Sequence, residues 1–256
     1  MNLTRYPVLD VDVQALTVAD LHKCISEAVA RGERWIIANH NLHSIYLYHH
    51  YEKMREFYSK AKIVYVDGMS IIWLGKLLGQ PFKPCHRVTY MDWIGPLTDE
   101  ALKQHWRIFF LGSRPGVASR ASEILRESRP DLTIASEHGY FDSRPESQES
   151  QAVLERINSF APHILMIGMG MPKQEEWICD NLERLNANAI LNAGACMDYI
   201  AGEQSLPPRW LGRLGLEWLY RLGSEPGRLW SRYLVEPWYL LALLGRVWLR
   251  KRRVND

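Results

Sequence analysis

The sequence predicts an α/β fold: a Rossmann-like parallel sheet with helices on both faces. Apolar runs of strand length alternate with stretches of helical periodicity through most of the chain. This alternation is typical of βαβ units, whose helices cover both faces of a parallel sheet. The predicted strands are Tyr6–Val13, Trp35–Ala38, Ile63–Val66, Ile108–Leu111, Leu132–Ser136, Ile164–Ile167 and Ala189–Leu191. The predicted helices include Val18–Ala30, Gly116–Glu127, Ser147–Phe160 and Lys173–Leu185.

The composition is that of a soluble globular protein. The 256 residues are 47% hydrophobic and 23% charged, which excludes a disordered chain and a polytopic membrane protein. The four cysteines form no Cys-x-x-Cys pair, so they predict free thiols rather than disulfides or a zinc ribbon. The first residues contain no apolar run behind a basic start, so we expect no secretory signal and a cytoplasmic protein.

Two glycine turns follow predicted strands, where ligands of open parallel sheets bind. Gly112 opens the first turn, and Gly168 and Gly170 lie in the second. Each turn leads into a helix whose first N–H groups can hold a phosphate. Glycine turns also arise for purely geometric reasons, and Gln174 and Glu175 after the second turn can simply cap their helix.

Polar residues follow two further strands. Asp67, with Gly68 beside it, is placed to act as a general base toward a substrate hydroxyl, although Asp-Gly is also an ordinary turn. Asn39 and Asn41 can bind sugar hydroxyls or the edge of a uracil, and the alternative is helix capping.

The sequence does not predict a metal site. Asp10 and Asp12 form the acid-x-acid pair that many metal-dependent sugar transferases use, but the pair precedes the strands whose ends carry the candidate site. The histidines near the second predicted strand have no carboxylate at ligand spacing, so a polar helix face is the favoured interpretation; they are His40, His43, His49 and His50.

The last fifty residues differ from the rest of the chain, and they predict a division into an α/β domain over 1–206 and a helical appendage over 207–256. The appendage has ten basic and four acidic residues and five of the ten tryptophans. Its longest apolar stretch, Pro237–Gly245, is shorter than the ~20 residues of a spanning helix. We expect the appendage to lie on an anionic membrane surface, and the alternatives are packing on its own core or on another subunit.

Several segments together resemble the WecG/TagA/CpsF glycosyltransferases of bacteria, glycosyltransferase family 26. The similarity runs in family order from about Trp35 to Tyr233. The matching segments are VYVDGMSIIW, HRVTYMDW, FFLGSRPGVA, HGYFD, IGMGMPKQEEWI, NAGACMDYIAG and LGLEWLYRLGSEPGRLWSRY.

The resemblance implies an inverting enzyme that needs no metal or other cofactor. Such an enzyme moves a sugar, glucose or N-acetylmannosamine, from a UDP-sugar to a polyprenyl-diphosphate-linked saccharide. It acts at the inner face of the cell membrane in the synthesis of a cell-surface polysaccharide, without a nucleic-acid partner. Whether the protein forms a homo-oligomer is left open.

The resemblance also implies roles for individual residues. Asp67 matches the catalytic base, Arg87 matches an arginine suited to the diphosphate, and Gln174 lies in the Pro-Lys-Gln-Glu motif near the nucleotide-sugar. The full predicted substrate-binding set is Asn39, Asn41, Gly68, Arg87, Asp92, Gly112, Tyr140, Gly168, Gly170, Lys173, Gln174, Glu175 and Asp198. The basic residues predicted to contact membrane or acceptor pyrophosphate are Arg221, Arg228, Arg232, Arg246, Arg250, Lys251, Arg252 and Arg253.

Two other classes of protein fit parts of the sequence. One is a Rossmann-type NAD-dependent oxidoreductase, which is disfavoured because the chain lacks the full G-x-G-x-x-G fingerprint. The other is a non-catalytic adaptor at the membrane surface, in which Asp67 and the glycine turns are incidental. Binding of UDP, of NAD or of neither distinguishes the three.

Overall fold

The computed structural model describes residues 3–205, 211 and 216–255, and within the last range it omits the side chains of residues 217, 221, 228 and 247–255. The predicted domain boundary between residues 206 and 207 lies outside the described residues. All positions below refer to the described part of the chain.

The core of the molecule is one eight-stranded sheet with the order β1-β2-β4-β3-β8-β7-β5-β6. All neighbouring strands run parallel except the edge pair β1 and β2. The strands are β1 Arg5–Val8, β2 Val11–Gln14, β3 Trp35–His40, β4 Ile63–Val66, β5 Ile108–Gly112, β6 Ile134–Glu137, β7 Ile164–Gly168 and β8 Ala189–Asn192. The predicted parallel α/β fold is confirmed.

The prediction of a single strand over Tyr6–Val13 is wrong. This segment is a hairpin, in which Val8 of β1 pairs with Val11 of β2. Leu9 and Asp10 form its two-residue turn, with φ of 47° and 70°. Both turn residues adopt the left-handed conformation that such hairpins require, without the Asn-Gly or Asp-Gly pair that usually marks them in a sequence.

Helices cover both faces of the sheet, as predicted. One face carries α2, α3, α4, α7, α8 and α12, and the other carries α1, α5, α6 and α9. The helices on the domain are α1 Val18–Arg31, α2 Leu42–His50, α3 Glu52–Lys60, α4 Met69–Leu77, α5 Tyr90–Lys103, α6 Val117–Glu127, α7 Gln148–Phe160, α8 Lys173–Asn181 and α9 Cys196–Ile200. The appendage contains α10 Glu217–Ser224, α11 Pro226–Trp230, a π-helical turn Ser231–Val235 and α12 Glu236–Asn255.

The start of α12 packs on the domain through α2. Leu240 and Leu243 are buried in the core on this face of the sheet. Tyr239 contacts Tyr46 of α2 edge to face, with ring centroids 5.5 Å apart. At the first residue of the helix, both carboxylate oxygens of Glu236 lie 2.9 Å from His43 Nδ1. One side of the appendage helix therefore packs on the protein's own core, which was one of the alternatives considered.

The opposite side of the same helix is apolar and exposed. Trp238 is 73% exposed and Leu241 is 58% exposed, and Leu234 and Val235 just before the helix are also exposed. Among the described residues, no helix combines the length and the apolar character that crossing a bilayer requires.

Candidate functional site

The candidate site lies at the carboxyl edge of five neighbouring strands. In spatial order, β4, β3, β8, β7 and β5 end at or next to Asp67, Asn39, Asn192, Gly168 and Gly112. The helices that follow β3 and β8, namely α2 and α9, lie on opposite faces of the sheet. Such a change of face between adjacent strands opens a crevice in which ligands of α/β proteins bind. The topology therefore brings the predicted strand-end residues to one edge.

Asp67 is held at this edge by β3 and by the start of α2. Its backbone N–H donates to the His40 carbonyl at 2.9 Å, and Asn41 Nδ2 donates to its Oδ2 at 3.3 Å. The side chain is half-buried. Gly68 follows with φ 108°, a conformation that favours glycine, and begins α4. A carboxylate fixed in this way, beside a helix N-terminus, can accept a proton from a bound hydroxyl.

Asn41 has two roles in the structure. It is the N-cap of α2, where its Oδ1 accepts from the Ser44 N–H at 3.1 Å. Its Nδ2 makes the contact with Asp67. The capping interpretation is therefore confirmed, and the same side chain also orients the candidate base.

Arg87 and Asp92 lie together next to Asp67 in the fold. The Val88 N–H donates to the Val66 carbonyl at 2.9 Å, which brings the residues after Arg87 against the end of β4. Arg87 Nη1 donates to Asp92 Oδ2 at 2.8 Å. The backbone of Arg87 therefore lies one residue from the contact with the end of β4, and Asp92 orients its guanidinium.

A buried hydrogen-bond network lies beneath the edge and joins β3, β8 and α8. The Asn39 N–H donates to Asn192 Oδ1 at 2.9 Å, and Asn39 Nδ2 donates to the Asn192 carbonyl at 2.8 Å. Glu175 Oε1 accepts from Asn192 Nδ2 at 2.9 Å and from Gln174 Nε2 at 2.8 Å. The Gly194 N–H donates to Gln174 Oε1 at 3.3 Å. The network includes three residues that were predicted to bind substrate: Asn39, Gln174 and Glu175. All three are buried, and their hydrogen bonds connect the strand ends beneath the edge.

Glu175 contributes the carboxyl group of this network. Burial raises its pKa to about 7, against the opposing effect of the hydrogen bonds from Asn192 and Gln174. Its Oε2 is buried and has no hydrogen-bond partner among the described residues. A neutral or partly protonated carboxyl at physiological pH follows from this environment.

The glycines at the edge serve different purposes. A Cβ on Gly112 would overlap the Gly168 carbonyl, and one on Gly168 would overlap the Gly194 carbonyl. These two residues are glycine because adjacent backbones meet there, so packing between strands explains Gly168, which was predicted to bind substrate. Gly170, also predicted to bind substrate, has φ 79° and open space around the position of a Cβ, so a ligand can approach its backbone.

Several helices begin at this edge without a side-chain cap. They are α4, α5, α6, α8 and the short α9. By contrast, α1, α2 and α7 are capped by Thr17, Asn41 and Ser147. Uncapped first-turn N–H groups and the positive end of the helix dipole suit an anion. The predicted phosphate-binding turns before α6 and α8 lack such a cap, although the Val117 and Gln174 N–H groups donate to the Arg114 and Gly170 carbonyls.

The loop after β6 lies against the two glycine turns. Lys173 Nζ donates to the Gly139 carbonyl at 3.2 Å and lies 5.6 Å from the centre of the Phe141 ring. Tyr140, between these residues, is 65% exposed. The lysine therefore fixes a loop that presents an aromatic ring to solvent.

Ser113 and Asp198 form a polar pair on the other side of the turn after β5. Ser113 Oγ donates to Asp198 Oδ2 at 2.9 Å. Burial raises the pKa of Asp198, against the opposing effect of this bond. Asp198 was predicted from the sequence, whereas Ser113 and Asn192 were not. The signal for these two was their position one or two residues after a predicted strand.

The histidines do not gather into one centre. His40 is fully buried, which lowers its pKa to about 3, and its Nδ1 lies 2.9 Å from Ser44 Oγ. His43, His49 and His50 lie on α2, as the polar-helix interpretation predicts. For His40 that interpretation is wrong, because His40 is the last residue of β3 and its side chain is buried. The described residues include no group of three or more His, Cys, Asp or Glu side chains that could hold a metal ion.

The basic residues of the appendage are described only in part. Arg232 packs against Tyr233, with its Cζ 5.8 Å from the ring centre, and Arg246 is exposed. The other predicted side chains lie outside the described residues; they are Arg221, Arg228, Arg250, Lys251, Arg252 and Arg253.

The fold and the edge define a doubly wound α/β protein with a polar ligand crevice, an architecture common among nucleotide-dependent enzymes. The sequence model of the glycosyl transferase WecG/TagA/CpsF family matches residues 6–254. The chain belongs to this glycosyltransferase family.

Curated relatives include a named transferase of Staphylococcus aureus, N-acetylglucosaminyldiphosphoundecaprenol N-acetyl-beta-D-mannosaminyltransferase, in strains NCTC 8325, COL and MSSA476. Each is 31% identical to this chain over 170 residues, which make up 65% of this chain. The similarity spans 63% of the length of these relatives.

Proposed function

We propose that this protein is an inverting glycosyltransferase. It moves a hexose or N-acetylhexosamine from a UDP-sugar to a polyprenyl-diphosphate-linked saccharide in the synthesis of a cell-surface polysaccharide. Family membership supports the class of reaction, and the name of the S. aureus relatives supports an N-acetylhexosamine and a lipid-diphosphate acceptor. The observation that carries the proposal is the carboxylate of Asp67, fixed by Asn41 at the carboxyl edge of the sheet.

In this proposal Asp67 is the catalytic base. Its carboxylate accepts the proton of the acceptor hydroxyl while that oxygen attacks the anomeric carbon of the donor. The bond between this carbon and the diphosphate oxygen breaks on the opposite face, and UDP leaves. One displacement of this kind inverts the anomeric configuration.

The leaving diphosphate gains negative charge in the transition state, and fixed donors stabilise it without a metal ion. The uncapped N-termini of α6 and α8 supply N–H groups and the positive ends of two helix dipoles. Arg87, oriented by Asp92, and Lys173 supply positive charge. These residues therefore bind UDP more tightly as it becomes a leaving group.

The nucleoside lies on the side of β5 and β6 in this arrangement. The exposed ring of Tyr140 can stack on the uracil, and Ser113 and Asp198 can hydrogen-bond its edge or the ribose. The sugar then extends along the strand ends toward Asp67 on β4. The donor therefore crosses the crevice between strands whose following helices lie on opposite faces.

The appendage brings the enzyme to its lipid-linked acceptor. Its exposed Trp238 and Leu241 insert into the interfacial region of the bilayer, and its basic residues lie against anionic headgroups or the acceptor pyrophosphate. The enzyme then works as a peripheral protein at the inner face of the membrane. Trp238 and Leu241 point away from the core, so they can insert while Leu240 and Leu243 keep the helix docked.

Changing the exposed side of α12 tests this role without uncovering the core. The double change Trp238→Ser and Leu241→Ser should lower the partition onto anionic vesicles by about tenfold or more, because burial of either apolar side chain contributes on the order of 1 kcal/mol or more. Affinity for UDP should stay the same. Tyr51→Ser, an exposed aromatic outside the appendage, is the matched control, and equal vesicle binding by both proteins would exclude this role.

A donor panel tests the reaction itself. Wild-type protein with EDTA and a lipid-diphosphate saccharide should release UDP from one of UDP-glucose, UDP-N-acetylmannosamine or UDP-galactose. Binding of NAD instead of UDP would favour the oxidoreductase, and binding of neither would favour the adaptor. Activity that EDTA abolishes would contradict the metal-independent part of the proposal.

A further inference from the structure

Helix α4 has an exposed apolar and basic surface that the proposed reaction does not use. Trp73 is 50% exposed and Leu77 is 74% exposed, and they lie one helical turn apart with the exposed Lys76 between them. Lys83 and Cys85, exposed on the segment after the helix, complete what we call the α4 surface.

The surface is part of the folded structure. The short helix Pro84–His86 packs against α4. Phe82 is buried, and its ring lies so close to Gly75 that a Cβ there would overlap it. The segment that carries Lys83 and Cys85 is therefore anchored to the inner side of α4. Trp73 and Leu77 are therefore exposed to water in the folded protein itself, and this exposure of apolar surface is unfavourable in free energy.

The charge of the segment suits an anionic partner. Between Asp67 and Asp92 the sequence contains no acidic residue, but it contains Lys76 and Lys83, as well as Arg87, which is paired with Asp92. A tryptophan and a leucine flanked by lysines are the composition of surfaces that lie in a bilayer interface. A protein partner could also bury Trp73 and Leu77, but binding to a protein would not explain why the segment between Asp67 and Asp92 contains no acidic residue.

The position of the surface links it to the reaction. α4 begins directly after Asp67 and Gly68, and the segment behind it leads to Arg87. α4 also lies on the same face of the sheet as α12, because both contribute to one core cluster. A membrane that meets α12 therefore lies on the side of the sheet that carries α4.

We infer that the α4 surface is a second contact with an anionic membrane, separate from the appendage. With two contacts, the domain has a fixed orientation on the bilayer, and the strand end that carries Asp67 faces the headgroup region. The membrane contact itself does not depend on the proposed function. Only its use does: a fixed orientation is useful if the acceptor stays anchored in lipid, as the proposed function requires.

Cys85 provides a local probe of this contact. It is the one exposed cysteine of the four, and burial raises the pKa of the thiols of Cys24, Cys179 and Cys196 to about 12. A maleimide dye whose emission shifts to the blue in apolar surroundings will therefore label Cys85 selectively. The full chain is then titrated with vesicles of phosphatidylcholine, alone or mixed with phosphatidylglycerol. The control carries the label on the other face of the sheet, in a Cys85→Ser and Lys103→Cys protein.

We expect a blue shift at Cys85 with the anionic vesicles and none at position 103. The double change Trp73→Ser and Leu77→Ser should abolish the shift. Each of Lys76→Gln and Lys83→Gln should weaken partition onto the anionic vesicles about fivefold, the usual effect of one basic residue at such a surface.

Two results would overturn the inference. Vesicles that sediment with the protein while Cys85 keeps its emission in water would show that the appendage alone binds membrane. A blue shift that grows with protein concentration in the absence of vesicles would assign the surface to a second copy of the chain. UDP release with a short-chain, water-soluble lipid-diphosphate saccharide, measured in parallel without vesicles, separates the two proposals: its absence with every donor of the panel would reject the proposed function and leave a Cys85 shift valid.

Discussion

Replacing Asp67 with asparagine should lower the rate of sugar transfer by roughly 10²- to 10⁴-fold, the usual contribution of a positioned general base. Asparagine keeps the size of the side chain and can still contact Asn41, but it cannot take the proton from the acceptor hydroxyl. The affinity for UDP should change little, because in this proposal Asp67 contacts the acceptor hydroxyl and not the diphosphate. UDP release at saturating donor, together with direct UDP titration, measures both quantities.

Asp12→Asn is the matched control for this experiment. Asp12 is an exposed aspartate on β2, so its change removes the same charge at a distance from the crevice. Unchanged activity in the Asp67→Asn protein would remove Asp67 from the role of base. An equal loss in both variants would indicate a general effect of charge.

The change Glu175→Gln should stabilise the protein at alkaline pH. Because burial raises the Glu175 pKa from its usual 4.5 to about 7, the folded protein keeps a proton that the unfolded chain releases at lower pH. The stability that this carboxyl contributes is therefore fully present below about pH 4.5 and is lost as the pH rises through about 7. The pKa difference corresponds to a free energy of unfolding on the order of 3 kcal/mol.

Glutamine carries no charge, so the variant should lack this fall. Denaturant unfolding at several pH values between 4 and 9 should show the wild type losing stability over this window relative to Glu175→Gln. Glu176→Gln, the partly exposed neighbour, is the control and should keep the wild-type profile. Parallel profiles for the wild type and Glu175→Gln would show that Glu175 does not titrate as its burial implies.

The strands and the main chemical positions were predictable because their signals are local. Runs such as Ile63–Val66 are apolar over strand length, and the polar residue after such a run must lie at the carboxyl edge of a parallel sheet. This reasoning places Asp67 correctly from its neighbours in the sequence alone. The hairpin at Leu9 and Asp10 was missed for the opposite reason, since no Asn-Gly or Asp-Gly pair marks its turn.

The buried network was not predictable from local signals. Glu175 and Gln174 follow a glycine turn at the start of a helix, where polar side chains usually cap or face solvent. Their burial depends on Asn192 and on Asn39, which reach the same place from distant parts of the chain. The contact between His43 and Glu236, 193 residues apart, is of the same kind. Sequence patterns identify which residues are polar at the edge, and the tertiary packing decides which of them remain accessible.

The most direct test of the proposed reaction is the structure of its product. Wild-type enzyme is incubated with the donor that releases UDP and with a lipid-diphosphate saccharide, and the product is analysed by mass spectrometry and by NMR of the new anomeric centre. We predict a mass increase of one hexose or N-acetylhexosamine on the acceptor, with the anomeric configuration inverted relative to the donor. A product with retained configuration, or an acceptor that gains no sugar while UDP is released, would contradict a single displacement assisted by Asp67.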